Sequence, residues 1–201
     1  MSNKIETTAI ILAGGKSSRM GQDKALLPFG EKTMLEHIVQ IAELVCDTAL
    51  VVVNLKSKTE NLELGDALVC EDLIKNSGPL AGIYTGLCYS HTRANCVLTC
   101  DMPLISASLI CELMRFWDAS SEVICFENAA GLPEPFPGIY DRNSRHLVRL
   151  LLDRDREHAS MHHFLQVVTM KSFALREEQI KFFTNLNTAQ DYAGALERKE
   201  E

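Results

Sequence analysis

The chain has 201 residues, of which 46% are hydrophobic and 23% are charged. This composition is too apolar and too balanced in charge for a disordered chain, and the length suits one compact domain. The formal net charge of −7 argues against a general nucleic-acid or membrane-surface binder, because both need a basic surface. A small anionic substrate held by a few local cations is compatible with this charge.

The cysteines and the apolar runs predict a cellular setting. Seven cysteines are an odd number, and no Cys-x-x-Cys pair occurs among them, so neither zinc-ribbon nor thioredoxin spacing is present. The first apolar run breaks at the glycines after Ala13, and no apolar stretch reaches the roughly 20 residues that cross a bilayer. We therefore expect a reduced, cytoplasmic protein without a membrane span.

Short apolar runs typical of strands alternate along the chain with amphipathic helical patterns. Consecutive apolar residues in several runs favour strands that are buried on both faces of a parallel sheet. The sequence predicts strands at 7–13, 49–54, 67–70, 96–100 and 123–126. It predicts helices over 34–45, 80–88 and 109–117, with Ser106 as the N-cap of the last one. This alternation predicts an α/β three-layer sandwich with a mostly parallel, Rossmann-like sheet.

The pattern is less regular after residue 130. Three prolines within residues 132–137 exclude a helix and predict an extended or turning segment. The sequence then predicts a helix over 143–152, a strand at 167–170 and a helix over 188–196. Thr188 and Asp191 have the spacing of a capping box at the start of the last helix. Without a linker or a repeat, we expect a single domain over residues 1–201, with its ordered core at 7–196.

Residues 12–24, directly after the first predicted strand, combine glycines with cations. The glycines would let the backbone approach a ligand and present N–H groups to an anion: Gly14, Gly15 and Gly21. The cations lie in an otherwise acidic chain: Lys16, Arg19 and Lys24. Their spacing fits neither a P-loop nor a dinucleotide-binding fingerprint. Since open α/β sheets bind ligands at the carboxyl ends of their strands, this segment is a candidate anion-binding loop. A solvated surface loop is the alternative.

Further polar or turn-forming residues follow predicted strands or open predicted helices: Asn54, Asp72, Gly78, Pro79, Asp101, Asn185 and Asn187. The Asn54 amide both donates and accepts hydrogen bonds, which suits the recognition of a base. Each residue also has an ordinary structural interpretation. Asn54, the Gly78–Pro79 pair and the later asparagines can be turn residues, and the two aspartates can be exposed acids or helix caps.

Residues 12–24 resemble the signature loop of nucleotidyltransferases, and most closely that of the molybdenum cofactor guanylyltransferases. Further segments follow in the order typical of that family: 51–54, 71–72, 78–82, 100–103 and 185–188. The loop ends in Asp23-Lys24, which favours the guanylyl branch, since related cytidylyltransferases commonly end it in Pro-Lys. The resemblance implies the nucleotide-diphospho-sugar transferase fold. It also implies Mg²⁺-dependent transfer of GMP from GTP to a molybdopterin-type cofactor, with release of pyrophosphate.

The resemblance also implies contacts with the nucleotide. The base and ribose would lie against the backbone of the loop, at Leu12, Ala13, Gly14 and Gly15. Guanine would be recognised by two polar side chains, Asn54 and Asp72. A carboxylate can accept hydrogen bonds from the N–H groups of a guanine edge.

The remaining implied roles concern the reaction and the second substrate. The catalytic residues would be Lys24, Arg19, Lys16 and Asp101. Lys24 would hold the phosphates, Lys16 and Arg19 would lie near the leaving pyrophosphate, and Asp101 would be the metal ligand. Magnesium prefers such hard oxygen ligands, typically one or two carboxylates together with substrate phosphates. The second substrate would be bordered by Gly78, Pro79, Asn185 and Asn187.

Two alternatives follow from the same residues. A cytidylyltransferase for the molybdenum cofactor, or a nucleotidyltransferase for a phosphosugar or another small molecule, would use the same chemistry. A non-catalytic nucleotide-binding protein would keep the loop without turnover, although the intact Lys24 and Asp101 argue against it. Expected partners are the small-molecule substrates and proteins of cofactor biosynthesis or molybdoenzyme chaperones, with no nucleic acid.

Overall fold

The secondary structure was assigned in a computed structural model, which describes residues 5–14, 23–75, 77–154, 159–186 and 188–199. The strands are β1 (Thr7–Leu12), β2 (Pro28–Phe29), β3 (Lys32–Thr33), β4 (Thr48–Val53), β5 (Leu68–Glu71), β6 (Ala94–Thr99), β7 (Val123–Glu127), β8 (Pro133–Asp141) and β9 (Met170–Ala174). The helices are α1 (Met34–Glu43), α2 (Gly78–Tyr89), α3 (Ala107–Arg115), α4 (Arg145–Arg154), α5 (Met161–Val167) and α6 (Ala189–Lys199).

Within the described residues, seven strands form one sheet in the order β5-β4-β1-β6-β8-β7-β9. The first four are parallel to one another, β8 is antiparallel to both of its neighbours, and β9 is parallel to β7. Every residue of β1 is buried, as expected for a central strand that is covered on both faces. The prediction of a mostly parallel α/β sheet is therefore confirmed.

Two apolar cores flank the sheet and make the fold a three-layer sandwich. Helices α1 and α3 pack on one face through buried residues such as Leu35 and Ile110. Helices α2, α4 and α5 pack on the opposite face through residues such as Leu80, Val148 and Phe164. Successive side chains of a strand point to opposite faces, so each strand contributes to both cores. No helix in the described part of the chain has the length and apolar character to cross a membrane.

The predicted helix starts agree with the capping contacts of the structure. Ser106 accepts a hydrogen bond from the Leu109 N–H group at 3.3 Å and caps α3. At the start of α6, the Asp191 carboxylate accepts from the Thr188 N–H group at 2.8 Å, and the Thr188 hydroxyl accepts from the Asp191 N–H group at 3.1 Å. Both predictions are confirmed, because such short side chains satisfy N–H groups that have no partner within the helix.

The C-terminal third differs from the prediction in one place and agrees with it in another. The strand predicted at 167–170 is wrong, because Met161–Val167 is helix α5 and the strand β9 starts only at Met170. Ser160 caps this helix, and Phe164 is completely buried on its inner face. The segment 132–137, predicted as extended or turning, lies largely in β8, whose prolines fall at its end and in a break of its pairing with β7.

Candidate active site

The carboxyl ends of the parallel strands open into one large cavity. It has a volume of about 680 Å³ and is lined by the segments that follow β1, β4, β5 and β6. The first turn of α2 and part of β8 complete its wall. A cavity of this size, at this edge of an open α/β sheet, suits a small-molecule substrate.

The backbone after β1 and the side chain of Asn54 form one continuous surface. The Ala13 N–H group donates to the Val52 carbonyl at 2.9 Å, which extends the pairing of β1 with β4 beyond the strand. A Cβ atom on Gly14 would lie 3.1 Å from Asn54 Oδ1, closer than an ordinary van der Waals contact. Glycine therefore allows the Asn54 amide to pack directly against the loop backbone.

Lys24 begins a short 3₁₀ turn that Asp23 fixes in place. The Asp23 carboxylate accepts a hydrogen bond from the Ala25 N–H group at 3.4 Å and forms an ion pair with Lys58 at 2.7 Å. Both Asp23 and Lys24 line the cavity. The acid of the Asp23-Lys24 pair therefore anchors the turn, and the lysine brings a positive charge to the cavity wall.

Asp72 is held by three hydrogen bonds at the end of β5. Its N–H group donates to the Val53 carbonyl at 2.8 Å. Its Oδ1 atom accepts from the Thr85 hydroxyl of α2 at 2.8 Å and from the Ile74 N–H group at 3.1 Å. Within the described part of the chain both side-chain bonds use Oδ1, so Oδ2 offers acceptor capacity to a ligand.

The first turn of α2 contributes backbone to the opposite wall. Gly78, Pro79 and Gly82 line the cavity. Gly78 has a positive φ of 69°, and proline stands at the start of the helix, where its missing N–H group costs no hydrogen bond. The partial positive charge at a helix N-terminus favours an anion on this side.

Asp101 and Asn185 come from distant parts of the sequence and meet at the cavity. The Asp101 carbonyl accepts a hydrogen bond from the Leu186 N–H group at 2.8 Å, and Leu186 is almost fully buried. The half-buried Asp101 and the exposed Asn185 both line the cavity. This link brings the segment before α6 to the end of β6.

The neighbouring cysteine cannot serve as a nucleophile. Burial raises the pKa of the Cys100 thiol far above its usual range, and the carboxylates of Asp101 and Asp23 raise it further. The thiol is therefore protonated at neutral pH, whereas only a thiolate is a good nucleophile.

The donor set at Asp101 fits a magnesium ion that is shared with a substrate. No cluster of three or more His, Cys, Asp or Glu side chains able to hold a metal occurs among the described residues. Magnesium does not need one, since it commonly binds one or two carboxylates together with phosphate oxygens and water. The half-buried Asp101 carboxylate beside the cavity matches this pattern.

The predicted site residues that the structure describes all line the cavity: Leu12, Ala13, Gly14, Lys24, Asn54, Asp72, Gly78, Pro79, Asp101 and Asn185. The others lie outside the described residues: Gly15, Lys16, Arg19 and Asn187. Sequence reasoning missed Thr99 and Phe136, which also line the cavity. Thr99 is the last residue of β6, and a polar side chain at the end of an apolar strand is a signal that could have identified it. The local sequence around Phe136 offers no such signal.

The cavity lies at the carboxyl ends of parallel strands with Lys24 and Asp101 in its wall, and comparison with known proteins assigns the chain to the nucleotidyltransferases. The model of the MobA-like NTP transferase domain matches residues 9–171. A probable molybdenum cofactor guanylyltransferase of Flavobacterium johnsoniae is 33% identical over 187 residues, which cover 92% of this chain and 93% of the relative. The chain therefore belongs to the MobA-like NTP transferase family.

Solved structures agree with this fold. The molybdopterin-guanine dinucleotide biosynthesis protein A of Archaeoglobus fulgidus superposes with a TM-score of 0.79 at 21% identity, over 96% of this chain and 98% of that one. Rv0371c of Mycobacterium tuberculosis, whose structure was determined in complex with manganese, gives a TM-score of 0.67 at 16% identity, over 96% and 98%. At these identities the likeness concerns the fold.

Proposed function

We propose that this chain transfers GMP from GTP to a molybdopterin-type cofactor and releases pyrophosphate. The observation that carries the proposal is the arrangement of one cavity. Asn54 and Asp72 line it beside β4 and β5, Asp101 and Asn185 line it beyond β6, and Lys24 lines it as well. The curated relative from Flavobacterium johnsoniae, named a probable molybdenum cofactor guanylyltransferase, supports the choice of substrates.

The reaction needs correct positioning and charge neutralisation rather than an enzyme nucleophile. A terminal phosphate oxygen of the acceptor attacks the α-phosphorus of GTP in line, and the bond from that phosphorus to the bridging oxygen of the β-phosphate breaks. Pyrophosphate leaves with the bonding electrons, and GMP stays on the acceptor. Lys24 stabilises the negative charge that is concentrated on the phosphates in this step.

Asp101 is the residue that would hold a divalent cation, for which we propose Mg²⁺. When bound, such an ion supplies charge neutralisation and alignment of the phosphates. The manganese complex of Rv0371c supports a divalent cation in this fold. Asp101 lies just beyond the end of β6. The hydrogen bond from the Leu186 N–H group to the Asp101 carbonyl fixes the backbone there.

Guanine recognition rests on Asp72 and Asn54. The Oδ2 atom of the Asp72 carboxylate can accept from the N1–H and N2–H groups of guanine, whereas cytosine and adenine do not offer this pair of donors. Asn54, packed against Gly14, can both donate and accept at the rim of the base. Lys16 and Arg19 are proposed to meet the pyrophosphate, and Gly15 and Asn187 to contact the nucleotide and the acceptor.

The decisive experiment measures pyrophosphate release with GTP, CTP and ATP, each with and without the molybdopterin-type acceptor and with Mg²⁺, Mn²⁺ or EDTA. We expect release with GTP only when both the acceptor and a divalent cation are present. Preference for CTP would indicate a cytidylyltransferase. Release with a phosphosugar acceptor would change the second substrate, and nucleotide binding without any turnover would favour a non-catalytic nucleotide-binding protein.

We also propose that residues 1–201 form a single nucleotidyltransferase domain that acts in the cytoplasm. The sheet supports this organisation, since it joins β1 near one end of the described chain to β9 near the other, although β2 and β3 pair separately. Limited proteolysis should leave one large fragment that unfolds in a single transition. Two fragments that unfold independently would contradict the single domain.

A further inference from the structure

The cavity has two ends that are far apart along the sheet. Asp72 follows β5, whereas Phe136 belongs to β8, four strand positions away in the order β5-β4-β1-β6-β8. At a spacing of about 4.8 Å between neighbouring strands, the two ends are roughly 19 Å apart. If Asp72 reads the base of the nucleotide, Phe136 is too distant to touch that base. Phe136 belongs to the other end of the cavity.

Phe136 reaches this end because the pairing between β8 and β7 is interrupted. Cys125 pairs with Gly138, but the next residue of β7, Phe126, pairs with Glu134. The three residues between them, 135–137, have no counterpart on β7 and form a bulge. On the other side, the pairing of β8 with β6 ends at Gly138 and Val97. The bulge therefore lies beside the carboxyl end of β6, where the cavity opens.

The bulge is held by specific contacts. The Tyr140 hydroxyl donates a hydrogen bond to the Pro135 carbonyl at 3.0 Å. Tyr140 is fully buried, and its ring stacks on Phe164 with centroids 6.2 Å apart. A Cβ atom on Gly138 would lie 2.6 Å from the Pro135 carbonyl oxygen and 2.8 Å from the Tyr140 ring. Only glycine leaves room for the bulge, and bulges beside active sites typically redirect a side chain.

A polar atom without a partner lies at the same end of the cavity. Among the described residues, the one buried side-chain oxygen or nitrogen atom without a hydrogen-bond partner is the Thr99 hydroxyl. Thr99 lines the cavity, as Phe136 does. Because side chains alternate along a strand, Thr99 lies on the same face of the sheet as Val97. Phe136 packs against the apolar core on that face. This end therefore combines an aromatic ring with an unsatisfied hydroxyl, which suits a flat ring with polar edges.

We propose that Phe136 stacks on the flat heteroaromatic ring of the acceptor and that Tyr140 is the positioning residue that holds Phe136 there. This inference rests on the proposed function, because it places the acceptor's pterin ring at the β8 end and guanine at the β5 end. Stacking on an aromatic side chain is tolerant of ring identity and contributes about 1–3 kcal/mol for nucleic-acid bases, or about fivefold to somewhat over a hundredfold in affinity.

The kinetic test compares Phe136→Leu, Phe136→Tyr and Tyr140→Phe. We expect Phe136→Leu to raise the KM for the acceptor about tenfold while the KM for GTP stays unchanged. Phe136→Tyr keeps the aromatic face and should restore the acceptor KM. Tyr140→Phe keeps the buried ring but removes the donor to Pro135, and should raise the acceptor KM by a smaller factor. Phe116→Leu is the matched control, since Phe116 stacks on Phe173 away from the cavity, so its loss should lower Tm without changing the acceptor KM.

Two kinetic outcomes would overturn the inference. An unchanged acceptor KM in Phe136→Leu would mean that this ring only fills the core. A rise in the KM for GTP with no change for the acceptor would mean that the nucleotide occupies the β8 end. A fall in Tm alone, without a KM effect, would assign Tyr140 to packing only.

A binding measurement separates this inference from the proposed function. Trp117 is the single tryptophan of the chain, so Phe136→Trp in a Trp117→Phe background introduces one fluorescent reporter. A pterin that carries a terminal phosphate should quench this fluorescence, and GTP alone should not. Quenching by GTP alone, or by neither compound, would contradict the stacking. Quenching by the pterin in a protein that transfers no GMP would reject the proposed function and keep the acceptor site.

Discussion

The two halves of the sheet build the cavity in different ways. In the half made of β5, β4, β1 and β6, all strands are parallel, so their carboxyl ends meet at one edge. Asn54 and Asp72 directly follow their strands there, and Asp101 follows β6 after one residue. In the half made of β8, β7 and β9, the antiparallel β8 points the other way and contributes from a bulge within the strand. A site on parallel strand ends follows from local sequence, whereas a site on a bulge depends on pairing with distant strands.

The largest expected effect lies where the two halves meet, at Asp101. Asp101→Asn keeps the size of the side chain and one oxygen but removes the charge that a hard cation requires. We expect turnover to fall about a hundredfold or more, with little change in Tm, because the half-buried side chain fills no core position. Turnover should be measured against Mg²⁺ concentration, with nucleotide binding tested in the absence of metal.

Asp153→Asn is the matched control for this substitution, since Asp153 is exposed and pairs with Arg149 on α4, away from the cavity. It should leave turnover unchanged. Normal turnover of Asp101→Asn at ordinary Mg²⁺ levels would move the metal to another residue. Unfolding of the variant would show that Asp101 has a structural role as a cap.

The same contrast explains what the sequence could predict. The fold class was predictable, because largely apolar runs such as β1 are typical of strands that are covered on both faces. The ligand-facing edge was predictable for the same reason, and Asn54, Asp72 and Asp101 line the cavity there. Their individual roles stay predictions. The family resemblance, which gave those roles, agrees with the matched domain model.

The other half was predictable only in part, for reasons of pairing. Prolines in residues 132–137 argue against a central strand, yet β8 accommodates Pro135 and Pro137 where it has no partner on β7. This break follows from contacts with residues far along the chain, which local patterns do not contain. The short helix α5 was missed because its seven residues are too few to establish a helical period.

Within the parallel half, Lys24 should have the next largest effect. Lys24→Ala removes a charge from the cavity wall, and we expect triphosphate affinity and turnover to fall about tenfold to a hundredfold, the range for a charged hydrogen bond. Lys16→Ala and Arg19→Ala should mainly lower turnover. Lys32→Ala is the control, because Lys32 is exposed and bonded to Gln40 on α1. Isothermal titration and steady-state kinetics would measure both quantities, and wild-type values in all three loop variants would contradict the loop assignment.

A smaller effect, on base preference, tests the β5 end of the cavity. Asp72→Asn replaces a carboxylate oxygen by an amide that cannot accept from both guanine donors. We expect the preference for GTP over ATP and CTP to narrow about tenfold, since a mismatched buried hydrogen bond costs roughly 1–3 kcal/mol. The nucleotide dependence of Tm measures this preference.

Thr85→Val is the companion variant for Asp72→Asn. It removes the hydroxyl that donates to Asp72 Oδ1 but leaves the carboxylate charge in place. It should lower Tm more than it changes the base preference. An unchanged preference in Asp72→Asn would reject Asp72 as the guanine reader, and a preference for CTP in the wild-type chain would assign it to the cytidylyl branch.

The smallest effect is expected at a surface clamp in the antiparallel half. Arg176 donates two hydrogen bonds to the Glu112 carboxylate at 2.6 and 2.8 Å, and Gln179 donates a third at 2.8 Å. These bonds tie the 3₁₀ turn Glu177–Phe183 to α3, just before Asn185. Arg176→Ala should lower Tm by about 2 °C or less, because exposed ion pairs contribute little. The acceptor KM should not change, since the buried Leu186 and its bond to Asp101 hold this segment independently.

The pH dependence of this clamp follows from Glu112. Its hydrogen bonds with Arg176 hold the pKa of the Glu112 carboxyl below its usual 4.5. A carboxyl with a lowered pKa in the folded state adds stability above the unfolded pKa, and this contribution disappears as the pH falls through the folded pKa. The Tm difference between wild type and Arg176→Ala should therefore be largest near neutral pH, start to shrink below 4.5 and vanish below the folded pKa of Glu112. Arg149→Ala, which breaks the exposed pair on α4, should reproduce the small Tm loss without touching this segment. A clear rise in acceptor KM for Arg176→Ala alone would mean that the clamp, and not the Leu186 bond, positions Asn185 at the cavity.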